Sequence, residues 1–263
     1  MSTLRQAVAA EWVKLWSVRS TWWCLGGALV LMVLGAVTLG GSTATEALRD
    51  GATGLRLTAS EPVVAATSFA QLALVAAAML AVTSEYASGT VRVTLQATPV
   101  RGVMLAAKAL VVAPVMAVAG VLSGAAATAA VYLLLSIDLF GGLVVLPPGE
   151  VVRDLLGVGV FYALVSVMTV GAGLAMRSAA GTLTVMFMLL LGLPLMLLMA
   201  GSPAALGAAL RMPTFAGLAF MGSTVNMAGG PMPYPAWEGL AWLLAWAAVA
   251  VAAGHVLLRR RDA

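Results

Sequence analysis

Long apolar runs interrupted by single charges set the pattern of this chain. The gaps between charged residues give charge-free windows at 20–45, 62–84, 109–137, 155–176, 178–210 and 239–258. A helix crosses the hydrocarbon core of a bilayer with about 20 consecutive apolar residues, so each window predicts one membrane span. The spans are placed at 21–41, 63–84, 109–135, 155–176, 179–200 and 238–258. Window 212–237 is also uncharged, but Pro213, Gly222, Gly229, Gly230, Pro231, Pro233 and Pro235 break it. Non-helical backbone at membrane depth must be covered by protein. Segment 203–235 is therefore expected to form short re-entrant or surface-lying helices on the extracytoplasmic ends of the others.

Six spans place both termini on one side, and Lys and Arg in the short loops set the orientation. The terminal side carries Arg5, Lys14, Arg19, Arg92, Arg101, Lys108, Arg177 and Arg259 to Arg261; the opposite side carries only Arg49, Arg56, Arg153 and Arg211. Both termini are expected in the cytoplasm. The first apolar stretch is longer than the 7–15 residue core of a signal peptide and is read as an uncleaved anchor.

Composition excludes several classes. Hydrophobic residues make up 62% of the 263 positions and charged residues 9%, against roughly half and a quarter in soluble domains. A water-soluble enzyme and a disordered chain are both excluded. Cys24 and His255 are the only cysteine and histidine, which rules out an internal disulfide, a multi-cysteine metal site and chemistry needing two imidazoles. The net charge of +4 comes from scattered basic residues. It fits a membrane surface better than nucleic acid.

Two elements on the terminal side carry information. In residues 2–19, Leu4, Val8, Trp12, Leu15 and Trp16 recur at helical spacing, with Arg5, Glu11, Lys14 and Ser17 on the rest. This predicts an interfacial helix with tryptophan at headgroup level, or simply a topology-setting basic N-terminus. Between spans two and three, Gly89 lets the chain turn out of the long helix. Val91 to Ala97 follows as a short helix, and Thr98 before Pro99 reads as the cap and first position of the next one. Glu85 lies close in sequence to Arg92 and Arg101, and pairing with either would stiffen this loop.

The stretch Glu11-Trp12-Val13-Lys14-Leu15-Trp16-Ser17-Val18-Arg19-Ser20 resembles the opening of ABC-2 type exporter permeases. Glu85, Tyr86, Gly89, Thr90, Arg92, Leu95, Pro99 and Arg101, continuing to Lys108, are similar in type and spacing to that family's cytoplasmic coupling segment. The resemblance covers the whole topology, although spans four to six carry no matching motif. It implies an all-α membrane domain of six spans, with an N-terminal interfacial helix, a cytoplasmic coupling helix at about 90–97 and short extracytoplasmic helices between spans five and six. It further implies an export pathway made by two permease copies, as a homodimer or heterodimer, and two ATP-binding subunits. The site residues it implies are Glu85, Gly89, Thr90, Arg92, Leu95, Pro99 and Arg101 in the coupling segment, flanked by Glu11, Trp12, Lys14, Leu15 and Arg19. The membrane would be the plasma membrane of a bacterium.

The chain cannot supply the energy itself. A P-loop needs G-x-x-x-x-G-K-[S/T], and neither Lys14 nor Lys108 stands in that context. ATP and magnesium would belong to the partner subunit, with no cofactor or metal in this chain. A secondary carrier is disfavoured because no acid lies clearly inside a span, and an enzyme because no nucleophile has a base. A membrane anchor that moves nothing remains the alternative from another class. Thr169 and Thr184 are expected to bond their own backbone. Met186, Phe187, Met188, Met196 and Met199 suggest a soft apolar lining for hydrophobic or amphipathic cargo. Pro114 and Pro194 are expected to kink their spans. Gly120 and Gly124 form a G-x-x-x-G register of the kind that joins helices, here read as weak support for a dimer.

Overall fold

A computed structural model describes residues 4–50, 57–91, 94, 96, 100–137, 144–223 and 232–260. The helices are α1 (Leu4–Ser17), α2 (Arg19–Arg49), α3 (Glu61–Ala87), α4 (Arg101–Leu135), α5 (Pro148–Met176), α6 (Ala179–Phe187), α7 (Leu193–Met199), α8 (Pro203–Ala209), α9 (Pro213–Phe220) and α10 (Ala236–Arg260). A π-helical turn, Met188–Gly192, joins α6 to α7. Two short strands, β1 (Leu57–Thr58) and β2 (Val144–Val145), pair in parallel, Leu57 opposite Val144.

Among the described residues six helices are long and apolar enough to cross a membrane: α2, α3, α4, α5, the composite 179–199 and α10. The protein is a multi-pass membrane protein, with one helix in each expected window. The bounds differ. α2 has 31 residues and α4 has 35, where spans of 21–41 and 109–135 were expected. At 1.5 Å per residue, α4 is about 52 Å long, well beyond the roughly 30 Å of a hydrocarbon core. Charges cannot end a helix, and those taken as span ends lie inside these helices.

Local sequence sets the breaks. Ser178 and Ser202 cap α6 and α8, accepting from the N–H of Gly181 at 3.3 Å and Ala205 at 3.2 Å. Proline opens α5, α8 and α9, where its missing N–H costs nothing. The helix start expected at Thr98 and Pro99 lies outside the described residues, as does most of the expected short helix. Of that helix Val91, Thr94 and Gln96 are described, with the Thr94 N–H donating to Thr90 O at 3.0 Å.

α3 and α5 form the centre, with 72% and 61% of their apolar windows buried against 17% for α10. Glycines bring the helices together. A Cβ on Gly120 would meet the Tyr162 ring at 2.5 Å, and one on Gly124 would meet Leu155 at 2.8 Å. The G-x-x-x-G register is thus a seam between α4 and α5 within one chain, and its reading as a dimer contact is corrected. Pro114 stands inside α4 without ending it. The methionines of the fifth span do not share one lining: Met186 is buried, while Met196 and Met199 are 62% and 88% exposed. Thr169 donates to Val165 O at 2.8 Å, as expected of a helical threonine.

The broken segment divides in two. α8 is mostly exposed, whereas Pro213 to Ala219 of α9 are all buried. α9 inserts between the long helices, with Gly217 against the Phe161 ring and Gly157 against Met221. It packs chiefly on α10.

Candidate functional site

Four charged side chains from three helices meet at the end of the bundle where both chain termini lie. Glu11 and Lys14 are one turn apart on α1, Glu85 is in the last turn of α3, and Lys108 is in the third turn of α4. They form a closed ring of alternating sign. Lys108 Nζ lies 2.7 Å from Glu11 Oε2 and 3.0 Å from Glu85 Oε1. Lys14 Nζ lies 2.8 Å from Glu11 Oε1 and 2.8 Å from Glu85 Oε1. Lys108 is 1% exposed, both glutamates are buried, and Lys14 is half-exposed at the rim.

Lysine suits this place because a compact ammonium has three donors. Lys108 uses all of its hydrogens, the third going to Ala81 O at 3.2 Å. Lys14 reaches Thr94 Oγ at 3.4 Å. Burial pulls the Lys14 ammonium down, but its hydrogen bonds to Glu11 and Glu85 and their charges outweigh this and hold it above the ordinary lysine value. A raised folded value means that the Lys14 contribution is complete below the unfolded value, about 10.4, and is lost only as pH rises through the folded one. Detachment of α1 is therefore expected only in strong alkali, with no change between pH 6 and 9; protease sensitivity of α1 across that range checks this.

Apolar contacts complete the joint. Leu15 packs on Val111 and Val115 of α4, with Val8, Trp16 and Ala81 around them. The buried residues of α1 are therefore Glu11 and Leu15, with Val8 partly buried beside them. Leu4 and Trp12, grouped with them by spacing, remain 41% and 48% exposed. Trp12 stacks edge-on against Trp16 at 5.6 Å, and Trp16 lies 4.9 Å from Trp22. A cavity of about 540 Å³ opens beside the ring, lined by Ser17, Thr21, Ser84, Ser88 and Thr90 with Glu11, Lys14 and Glu85.

The sequence-predicted residues are only partly brought together. Glu85, Glu11, Lys14 and Leu15 converge; Arg19 is exposed at the start of α2. Gly89 has φ +72 and makes the expected turn, where its hydrogen side chain avoids the strain of a left-handed backbone. The Thr90 hydroxyl faces that of Ser88 at 2.9 Å. Arg92, Leu95 and Pro99 lie outside the described residues.

The expected pairing of Glu85 with Arg101 is corrected. Arg101 donates from Nη1 to Leu258 O at 2.5 Å and Arg259 O at 2.9 Å, closing the C-terminal end of α10. A cation there complements the helix dipole. The reason is direction: the last turn of α3 faces α1 and α4, while the first turn of α4 faces α10, whose His255 approaches Gly102. Arg101→Gln is expected to cost about 1 kcal/mol, seen as faster amide exchange over 254–260 with α1 unchanged.

Lys108 is the residue that spacing missed as a site residue. It reads there as the last charge before a span, and its partner Glu11 is 97 positions away. One signal points to it: the chain has twelve arginines and two lysines, and both lysines are in the ring. Asp154 is buried in α5 at the other end, accepting from Ser60 Oγ at 2.6 Å, with Arg153 Nε 3.5 Å away.

Among the described residues no group of three or more His, Cys, Asp or Glu is placed to hold a metal ion. The ring is neutral overall and fully paired, so its chemistry is that of a joint fastening α1 to α3 and α4. No protein-family model matches the chain, and a search of the curated proteins finds no match.

Proposed function

We propose that this chain is the membrane-spanning subunit of an ATP-driven exporter of the ABC-2 type, moving a hydrophobic or amphipathic cargo. One observation carries the reading. The two stretches that resemble the family, 11–20 and 85–108, are distant in sequence yet are fastened to each other by the Glu11–Lys14–Glu85–Lys108 ring. A joint with buried charges is rigid, because sliding would strip partners from Lys108, Glu11 and Glu85, which are buried. A push on the segment between α3 and α4 would then move α1, α3 and α4 together.

Further support comes from the ends of the bundle. Arg5, Lys14, Arg19, Arg101, Lys108, Arg177, Arg259 and Arg260 belong to the terminal end; Arg49, Arg153 and Arg211 belong to the other. By the positive-inside tendency the terminal end is cytoplasmic, in a bacterial plasma membrane. α1 is then the interfacial helix, 90–97 the coupling segment, and α8 with α9 the extracytoplasmic elements. The partners are a second permease copy and two ATP-binding subunits, which hold ATP and magnesium.

Two measurements test the reading. Reporter fusions at Ala263 should report cytoplasm, and fusions after Asp50 the opposite side; the reverse at Ala263 overturns the orientation. If a P-loop ATPase is encoded beside this chain, co-purification with it should give a complex with two copies of each. Failure of that ATPase to bind the chain leaves the anchor alternative.

A further inference from the structure

Proline lacks an N–H, so a helix containing it cannot close the bond from that position to the carbonyl four residues earlier. For Pro194 that carbonyl belongs to Leu190. It lies in the π turn Met188–Gly192, where Leu193 N–H donates five residues back to Met188 O. Leu190 is 0% exposed and among apolar neighbours, where an unsatisfied carbonyl is costly.

The donor comes from another element. Thr214, the second residue of α9, is 2% exposed and donates from Oγ to Leu190 O at 2.6 Å. Gln71 of α3 lies at 3.5 Å from the same hydroxyl and is itself 0% exposed, its amide donating to Ser68 O at 3.0 Å. With one hydrogen to give and two acceptors in range, the hydroxyl serves the nearer. The threonine is thus the missing member of the helix ladder, supplied by a helix lying between the long ones.

We infer that α9 is a latch on the fifth span: the Thr214 hydroxyl holds the π turn open by replacing the bond that Pro194 cannot make. The position of α9 and the winding of Met188–Gly192 are then one degree of freedom. Withdrawing α9 strands Leu190 O, and because Pro194 has no N–H to offer, the turn must change its winding until the N–H of Leu193 or Leu195 reaches it, rotating α7 relative to α6. π turns inside α-helices commonly mark such sites. The inference concerns this chain alone and does not depend on the exporter reading.

The test is a rescue cycle on the full-length chain in detergent. Cys24→Ser removes the one native thiol, and Met221→Cys places a thiol at the end of α9, where the native side chain is buried against Gly157. Labelling by a polar maleimide then reports release of α9. Thr214→Val keeps the shape and removes the donor, and labelling should rise about tenfold, the factor expected for one buried acceptor left without its donor. Thr214→Ser should label like the parent. Pro194→Ala gives the helix its own N–H toward Leu190 O, so Thr214→Val added to it should change labelling less than about twofold. Equal labelling of Thr214→Val and parent overturns the latch. A tenfold effect that persists beside Pro194→Ala overturns it as well, because Thr214 would then be mere packing.

Discussion

Lys108→Met will strip the protein of about 3–5 kcal/mol, the cost of breaking a buried ion pair by removing one partner. Methionine keeps the apolar stem that crosses from α4. What it removes is the charge between Glu11 and Glu85, both buried, leaving two carboxylates facing only Lys14. The loss is a large part of the 5–15 kcal/mol that holds a typical domain together. α1 should become protease-sensitive and the thermal midpoint in detergent should fall by many degrees. Adding Glu11→Gln should recover most of the loss, since the Lys14–Glu85 pair is then balanced at 2.8 Å. A single variant as stable as the parent would show that water reaches the ring and that it carries no constraint.

The second large effect is steric. Gly171 of α5 and Gly254 of α10 lie back to back: a Cβ on Gly171 would fall 2.8 Å from Val251 N and onto the Ala250 carbonyl, and one on Gly254 would fall 2.5 Å from Gly171 O. The obstacles are backbone, so no rotamer relieves them and the helices must part. Gly171→Ala should cost about 1–3 kcal/mol as overpacking, and Gly171→Val more. Gly26→Ala is the control. That helical glycine has nothing within 4 Å of a built Cβ, so the substitution should be neutral or stabilise by a few tenths of a kcal/mol. Equal thermal midpoints for Gly171→Ala and Gly26→Ala would contradict the close approach.

How far the sequence could be read follows from which forces are local. Six spans were legible because each charge-free window is long enough to cross and each break contains a charge, a proline or a glycine. Their ends were not, because α2 runs on as a helix to Arg49 and α4 reaches back to Arg101, outside any apolar window. The ring was half legible. Glu11 and Lys14 are three residues apart and pair on any helix, but no local rule brings Lys108 to them. Proximity in sequence offered Arg92 and Arg101 as partners of Glu85 instead. The burial of α9 was hidden for another reason: its prolines and glycines mark breaks in a helix, not the side of the bundle on which the broken piece packs. Thr214 became informative only when Leu190 O was placed beside it.

The central claim is that the ring transmits what an ATP-binding subunit does to the segment between α3 and α4. Its most direct measurement is ATP hydrolysis by a candidate P-loop ATPase partner, reconstituted in lipid vesicles with the parent chain, with Lys108→Met, and with Lys108→Met plus Glu11→Gln. The account predicts that the parent chain changes the hydrolysis rate severalfold relative to the ATPase alone. Lys108→Met should lose that response while still binding the ATPase, and the double variant should regain part of it. The same hydrolysis rate with the parent chain, with Lys108→Met and with no chain at all would contradict it.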